Sequence, residues 1–295
     1  MQKHGGKVSR RSVELVARLA PISIFPGEWE STVAGEGFDF LQIRPYRPGD
    51  DPRRLHLPSL IQEGKKRTID RVAQTQVTIY IYADTSRTTE RNEDLHFFSK
   101  AEIRDVAVGL ISFSAAKVYS PLSYIAFAGA IERVFPPLMG DDNAQRVFRW
   151  SLEQKAFPGT VDMRMVLAHV LRFAKPRSIV FLISDFLGAL DFSAELKRVA
   201  RSVDLVAIIV QSEQEKRMFS LREPMRFTLG DLRTEGVSDV RIDKVQQERM
   251  RQAWHTHYRH VEEMFGSAHA EWIIADSVDV CLPRLQRLFT RRRAR

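Results

Sequence analysis

Three short stretches carry side chains that could do chemistry together. Asp84-Thr85-Ser86-Arg87-Thr88 follows a β-branched and aromatic run that ends at Ala83. Gly159-Thr160-Val161-Asp162 precedes an amphipathic stretch, and Ser184-Asp185-Phe186 follows the apolar run 179–183. Together they offer two carboxylates, Asp84 and Asp185, and the hydroxyls of Ser86, Thr88 and Thr160, all oxygen donors. Such a hard, weakly charged set suits Mg²⁺, Mn²⁺ or Ca²⁺ and not zinc or copper. Asp84, Ser86 and Thr88 alternate, so their side chains can turn to one centre. With only two carboxylates a coordination position stays open, and a carboxylate from another protein could fill it. The same residues also have a plainer reading: Asp84 and Asp185 can end strands, and Thr160 or Asp162 can cap a helix.

Other chemistries lack their parts. A phosphatase of the Asp-x-Asp type needs a second carboxylate where Ser86 stands, and no Gly-x-Ser-x-Gly elbow is present. There is no Gly-x-x-x-x-Gly-Lys-Ser/Thr loop, so nucleotide hydrolysis would belong to a partner. His255, His257 and His260 cluster in one stretch, and the last two have a spacing that can share a transition metal. Trp254 and Tyr258 mark an apolar face beside them, which instead places the histidines along its border. The single cysteine, Cys281, cannot form an internal disulfide; it reads as packing and fits a reducing, cytoplasmic compartment.

The elements that must position these loops are legible from periodicity. The run 77–83 is apolar on both faces, which predicts a central strand, as do 178–184 and 205–210. Residues 122–127 and 130–135 predict two strands joined at Ala128-Gly129. Helices are predicted over 100–118, 143–155, 162–173 and 194–201, the third with Met163, Val166, Leu167, Val170 and Leu171 on one face. Alternation of this kind means an α/β fold with a mostly parallel sheet covered on both faces. Before it come a short helix at 12–20 and a β-rich stretch, about 29–72, that contains the turn Pro48-Gly49-Asp50-Asp51-Pro52. After it, 227–232 predicts a strand and 240–265 a long amphipathic helix with Ile242, Val245, Trp254, Tyr258, Val261 and Phe265 inward. A strand at 271–274 and a helix at 283–291 complete the chain.

The chain has 295 residues, 44% of them hydrophobic, and a formal net charge of +8. No apolar run approaches the roughly 20 residues of a membrane span. The basic balance permits nucleic acid or an anionic membrane surface as partner, through Lys65-Lys66-Arg67 or the tail Arg291, Arg292, Arg293 and Arg295. No aromatic residues interleave with those basic runs, which weakens base stacking and makes nucleic acid the lesser partner; a basic module for nucleic acid or an anionic membrane surface stays the alternative reading.

The three loops resemble the metal-ion-dependent adhesion site of von Willebrand factor A domains: Asp-x-Ser-x-Ser in the first, Thr in the second, Asp in the third. Thr88 stands where that pattern has Ser. A second resemblance covers more of the chain. Gly35-Glu36-Gly37-Phe38-Asp39-Phe40, the stretch Ile43-Arg44-Pro45-Tyr46-Arg47-Pro48-Gly49-Asp50-Asp51-Pro52-Arg53-Arg54-Leu55-His56, Ile183-Ser184-Asp185-Phe186 and Leu229-Gly230-Asp231-Leu232 are similar to the domain of unknown function 58 family. Leu57 stands where that family usually has Trp. The resemblance implies a three-layer von Willebrand factor A-like, Rossmann-like domain at 75–211, preceded by a helix and β-rich element at 1–74 and followed by a helical extension at 212–295. It also implies a MoxR-type AAA+ ATPase and a client protein as partners, in assembly or metal-dependent maturation, and no catalysis by this chain. A divalent ion such as Mg²⁺ would sit on Asp84, Ser86, Thr88, Thr160 and Asp185. Arg44, Arg47, Asp50, Asp51, Arg53 and Arg54 either pair among themselves or face an acidic partner.

Overall fold

A computed structural model of the chain describes residues 14, 23–25, 34–47, 50, 55–72, 77–89, 98–213, 215, 225–230 and 237–293. The chain divides into two compact units, Gly27–Gln76 and the remainder, Met1–Pro26 with Val77–Arg295.

In the smaller unit, strand β1 (Ala34–Pro45) pairs antiparallel with β2 (Arg67–Val72), with Ile43 opposite Ile69 and Arg44 opposite Thr68. The intervening chain is not wholly extended, because a short helix α1 (Leu57–Glu63) lies between the strands. Its N-cap is His56, whose Nδ1 accepts from the Ser59 amide at 3.2 Å, and Pro58 fits the first turn, where no amide donor is needed. Gly64 closes the helix at φ 64°, in the left-handed region open to glycine. Asp51, Arg53 and Arg54 fall outside the described residues, as does the helix expected at 12–20 apart from Glu14.

The larger unit is built on β3 (Ile79–Asp84), β4 (Leu122–Phe127), β5 (Ile131–Leu138), β6 (Ile179–Ser184), β7 (Asp204–Val210) and, after a hairpin of β8 (Met225–Gly230) with β9 (Val237–Ile242), β10 (Glu271–Ala275). The six-stranded sheet runs β10-β7-β6-β3-β4-β5, parallel except for the edge strand β5. Helices α2 (Lys100–Lys117), α3 (Asp141–Glu153), α4 (Met163–Phe173), α5 (Ser193–Ser202), α6 (Lys244–Ser267) and α7 (Val278–Arg293) flank it. This is the α/β arrangement, a mostly parallel sheet flanked by helices, that the sequence led us to expect. Strands β3 and β6 are buried along their whole length, as central strands covered on both faces must be. Each fully buried Ile, Val or Leu there stabilises the fold by about 1.5–3 kcal/mol. The edge strand β5 carries Pro136 and Pro137 at an irregularity in its pairing with β4, the kind of position where a residue without an amide donor is tolerated.

Three expectations need correction. Residues 240–242 belong to β9, so the long helix starts at Lys244; Asp243 caps it, accepting from the Gln246 amide at 2.8 Å. Val245 is consequently 61% exposed in the first turn and not part of the apolar face. The last helix begins at Val278, five residues before Pro283, because burying Val278, Cys281 and Leu282 outweighs the amide that proline removes.

Candidate functional site

Strands β3 and β6 lie side by side, yet their connections leave in opposite directions across the sheet, to β4 and to β7. Such a reversal opens a crevice beyond the carboxyl ends of the strands. Asp84 closes β3 and Ser184-Asp185 closes β6, so the first and third predicted loops meet at that crevice. The second loop is brought there by backbone pairing. Phe157 donates its amide to the Thr85 carbonyl at 2.8 Å, in an isolated parallel bridge with Ser86. Gly159, at φ 106°, packs directly on Gly129, where a Cβ would come within 2.9 Å of the Gly129 Cα. Glycine is therefore required for the loop to reach the crevice.

The result is a cleft of about 80 Å³ lined by all five residues predicted to hold an ion: Asp84, Ser86, Thr88, Thr160 and Asp185. Asp84 is buried. Its Oδ1 accepts the Ser86 amide at 2.9 Å and its Oδ2 accepts the Ser184 hydroxyl at 2.6 Å. Burial foremost, and then the charge of Asp185, push the Asp84 carboxyl up to about 6, against the lowering effect of those hydrogen bonds. Ser86 Oγ and Thr88 Oγ1 stand 3.0 Å apart. Asp185 Oδ1 accepts the Leu187 amide at 3.2 Å, while Oδ2 accepts from Lys100 Nζ at 2.9 Å. Thr160 is exposed at the rim, and the neighbouring Asp162 caps α4, accepting from the Arg164 amide at 2.9 Å. Met163, Phe192 and the 40% exposed Leu187 give the cleft an apolar flank.

Several supporting residues escaped sequence reasoning. Ser99 and Glu102 form a capping box that starts α2 and puts Lys100 in its first turn. Lys100, 6% exposed, bridges Asp185 and Glu215, the latter at 2.5 Å. One turn on, Arg104 donates to the Asp84 carbonyl at 3.0 Å and pairs with Asp105, which also accepts from Ser151 Oγ at 2.6 Å. From α6, Tyr258 donates to the Asp185 carbonyl at 3.2 Å, and His257 Nε2 lies 2.7 Å from the Phe186 carbonyl. That contact steadies Phe186, which stands at φ 52° and packs edge-on against Phe265. A signal for α2 was present: a helix buried on all sides cannot hold Lys100, Arg104 and Asp105 unless each is paired.

A family model described as "Protein of unknown function DUF58" matches residues 42–264. The chain belongs to the DUF58 family. No curated protein matches this DUF58 chain by sequence. Among solved structures it is similar to BatB from Bacteroides thetaiotaomicron, at 12% identity, over 73% of this chain and 98% of that one, with a TM-score of 0.46. An aerotolerance-related membrane protein from Bacteroides fragilis gives 12% identity, 73% and 99% coverage and a TM-score of 0.46. The pilus adhesin SpaC from Lactobacillus rhamnosus GG gives 13%, 74%, 30% and 0.42.

The remaining predicted residues fall elsewhere in this DUF58 protein. Arg47 and Asp50 belong to the smaller unit, where the Arg47 amide donates to Asp50 Oδ2 at 2.7 Å and Tyr46 Oη donates to the Asp50 carbonyl at 2.9 Å. Arg44 lies in β1. Part of the basic surface is engaged in structure: Arg292 pairs with Asp204 and Glu271 and lies over the Phe289 ring, and Arg67 pairs with Glu63 at 2.9 Å. Among the described residues, no helix is long and apolar enough to cross a membrane.

Proposed function

We propose that this DUF58 protein is a non-catalytic adaptor whose cleft takes a divalent cation and, through it, a carboxylate of a partner protein. The carrying observation is the convergence of Asp84, Ser86, Thr88, Thr160 and Asp185, from three separate loops, on one cleft at the switch point of the sheet. The donor set fits an ion of the Mg²⁺ type. Among the described residues no three His, Cys, Asp or Glu side chains cluster, so a cation would lean on hydroxyls, which are hard oxygen donors. The 3.0 Å between Ser86 Oγ and Thr88 Oγ1 equals the spacing of neighbouring oxygens, about 3 Å, in octahedral coordination at about 2.0–2.1 Å. Each Asp84 oxygen accepts one hydrogen bond from the protein and retains a lone pair for a metal. Two carboxylates, Asp84 and Asp185, stand in the lining beside the guanidinium of Arg87, while Lys100 is shared by Asp185 and Glu215 and Arg104 is matched by Asp105.

The bound ion would supply a Lewis-acidic point for an incoming carboxylate, and the apolar flank of Leu187, Val161 and Met163 would exclude water around it. The family resemblance supplies the partner class, a MoxR-type AAA+ ATPase acting with a client protein. The test is calorimetric titration with Mg²⁺ and Mn²⁺ of the native chain and of Asp84→Ala, together with co-sedimentation of a MoxR-type ATPase with and without chelator. Saturable binding lost in the variant, and complex formation lost with chelator, are the expected results. A complex indifferent to both chelator and Asp84→Ala would overturn the reading.

A further inference from the structure

Lys100 is placed where a lysine is hardest to keep. It is 6% exposed, and it occupies the first turn of α2, where the helix dipole disfavours a cation. It is held there by carboxylates from two other segments, Asp185 at the end of β6 and Glu215 beyond β7. Glu215 is itself anchored, accepting from the Ser212 amide at 3.3 Å. Lys100 does not line the cleft, so it cannot meet an incoming ligand directly. Its ammonium nevertheless contacts one of the two carboxylates that do line it.

We propose that Lys100 is a built-in counter-ion that sets the affinity of the cleft for its cation. This rests on the reading of the cleft as a divalent-metal site. By neutralising Asp185 from behind, Lys100 leaves Asp84 as the carboxylate whose hydrogen bonds come from neutral donors, Ser184 Oγ and the Ser86 amide. A divalent ion alone is then held weakly, and the carboxylate brought by a partner supplies the missing negative charge. Partner and metal bind together far better than either binds alone. Glu215 tempers the effect, because it shares the ammonium with Asp185. Lys100 and Glu215 are positioning residues for charge, and neither is a ligand.

The two residues therefore predict opposite shifts. Lys100→Met removes the counter-ion and should tighten Mn²⁺ or Mg²⁺ binding by roughly tenfold or more, since buried charges so close are poorly screened. Glu215→Gln leaves Lys100 wholly to Asp185 and should weaken binding by a similar factor. Both are measured by calorimetric titration of the full chain with each metal alone, at fixed pH and ionic strength, after circular dichroism has confirmed the fold. A general loss of structure cannot move the two variants in opposite directions. Should Lys100→Met fail to fold without metal, Glu215→Gln alone decides, and unchanged or tighter binding there overturns the proposal. Native binding with Lys100→Met unchanged or weaker overturns the role of Lys100 and leaves the metal site standing. No binding by the native chain or by either variant overturns both. Binding by Lys100→Met alone would support the counter-ion in its strongest form.

Discussion

The Ser184 hydroxyl donates to Asp84 Oδ2 at 2.6 Å, joining residues one hundred positions apart in the chain. The bond ties together the ends of β3 and β6, the two strands between which the cleft opens. It also holds the Asp84 side chain in place.

Removing that donor has a pH-dependent cost. Ser184→Ala should destabilise the protein by about 1.5–3 kcal/mol at pH 7.5, where Asp84 is ionised and the bond is charge-assisted. At pH 5 the carboxyl is mainly protonated and the loss should be smaller. Urea unfolding at the two pH values measures both, and an equal cost at each would mean that the bond does not depend on the charge of Asp84.

Asp84 itself should leave a signature on the pH–stability curve. Its carboxyl is raised from 3.8 to about 6 in the folded state, so the native protein binds the proton more tightly than the unfolded chain does. Stability linked to this group is therefore fully present below about pH 4 and is lost as pH rises through about 6, by at most about 3 kcal/mol. Relative to the native chain, Asp84→Asn should gain stability across that window and level off above it, in metal-free buffer. Parallel curves for the two proteins would show that Asp84 is not raised.

Gly159 holds the second loop against the first. An alanine there would face both a φ of 106° and a Cβ 2.9 Å from the Gly129 Cα. Gly159→Ala should cost about 1–3 kcal/mol and displace Thr160 from the cleft. Thermal unfolding reads the first effect and a weakened metal titration the second. Gly188→Ala, whose Cβ would meet only the Val161 carbonyl at 3.7 Å, is the control and should be nearly silent.

Cys281 is fully buried within α7, and burial pushes its thiol up to about 12. The thiol should resist alkylation in the native state and react only on unfolding. Mass spectrometry after iodoacetamide treatment, with and without urea, checks this; rapid native labelling would contradict the packing role.

Much of the fold was legible because hydrophobic periodicity is a local property. The run 77–83 is apolar on both faces whatever lies beside it, and the spacing of Met163, Val166, Leu167 and Val170 marks a helix face within a few residues. Where the pattern misled, neighbouring elements had overruled it. Ile242 fits a helical stripe, but pairing with Met225 draws it into β9, and burial of its neighbours carries α7 through Pro283.

The five cleft residues could be read from sequence because each sits in a loop whose type and place after a strand or before a helix are written locally. Their counter-charges could not. Lys100 looks like an ordinary helix-start lysine until α2 is laid against the sheet and its ammonium meets Asp185, 85 positions away, and Glu215. Tyr258 and His257 likewise become supports of the third loop only when α6 packs behind it. The sequence by itself determined which segments are strands and helices and which oxygens stand at their ends. Only the tertiary structure decided which charges share the low-dielectric space behind the cleft, because that depends on the order in which the strands pair, and a pairing order leaves no local mark on a chain.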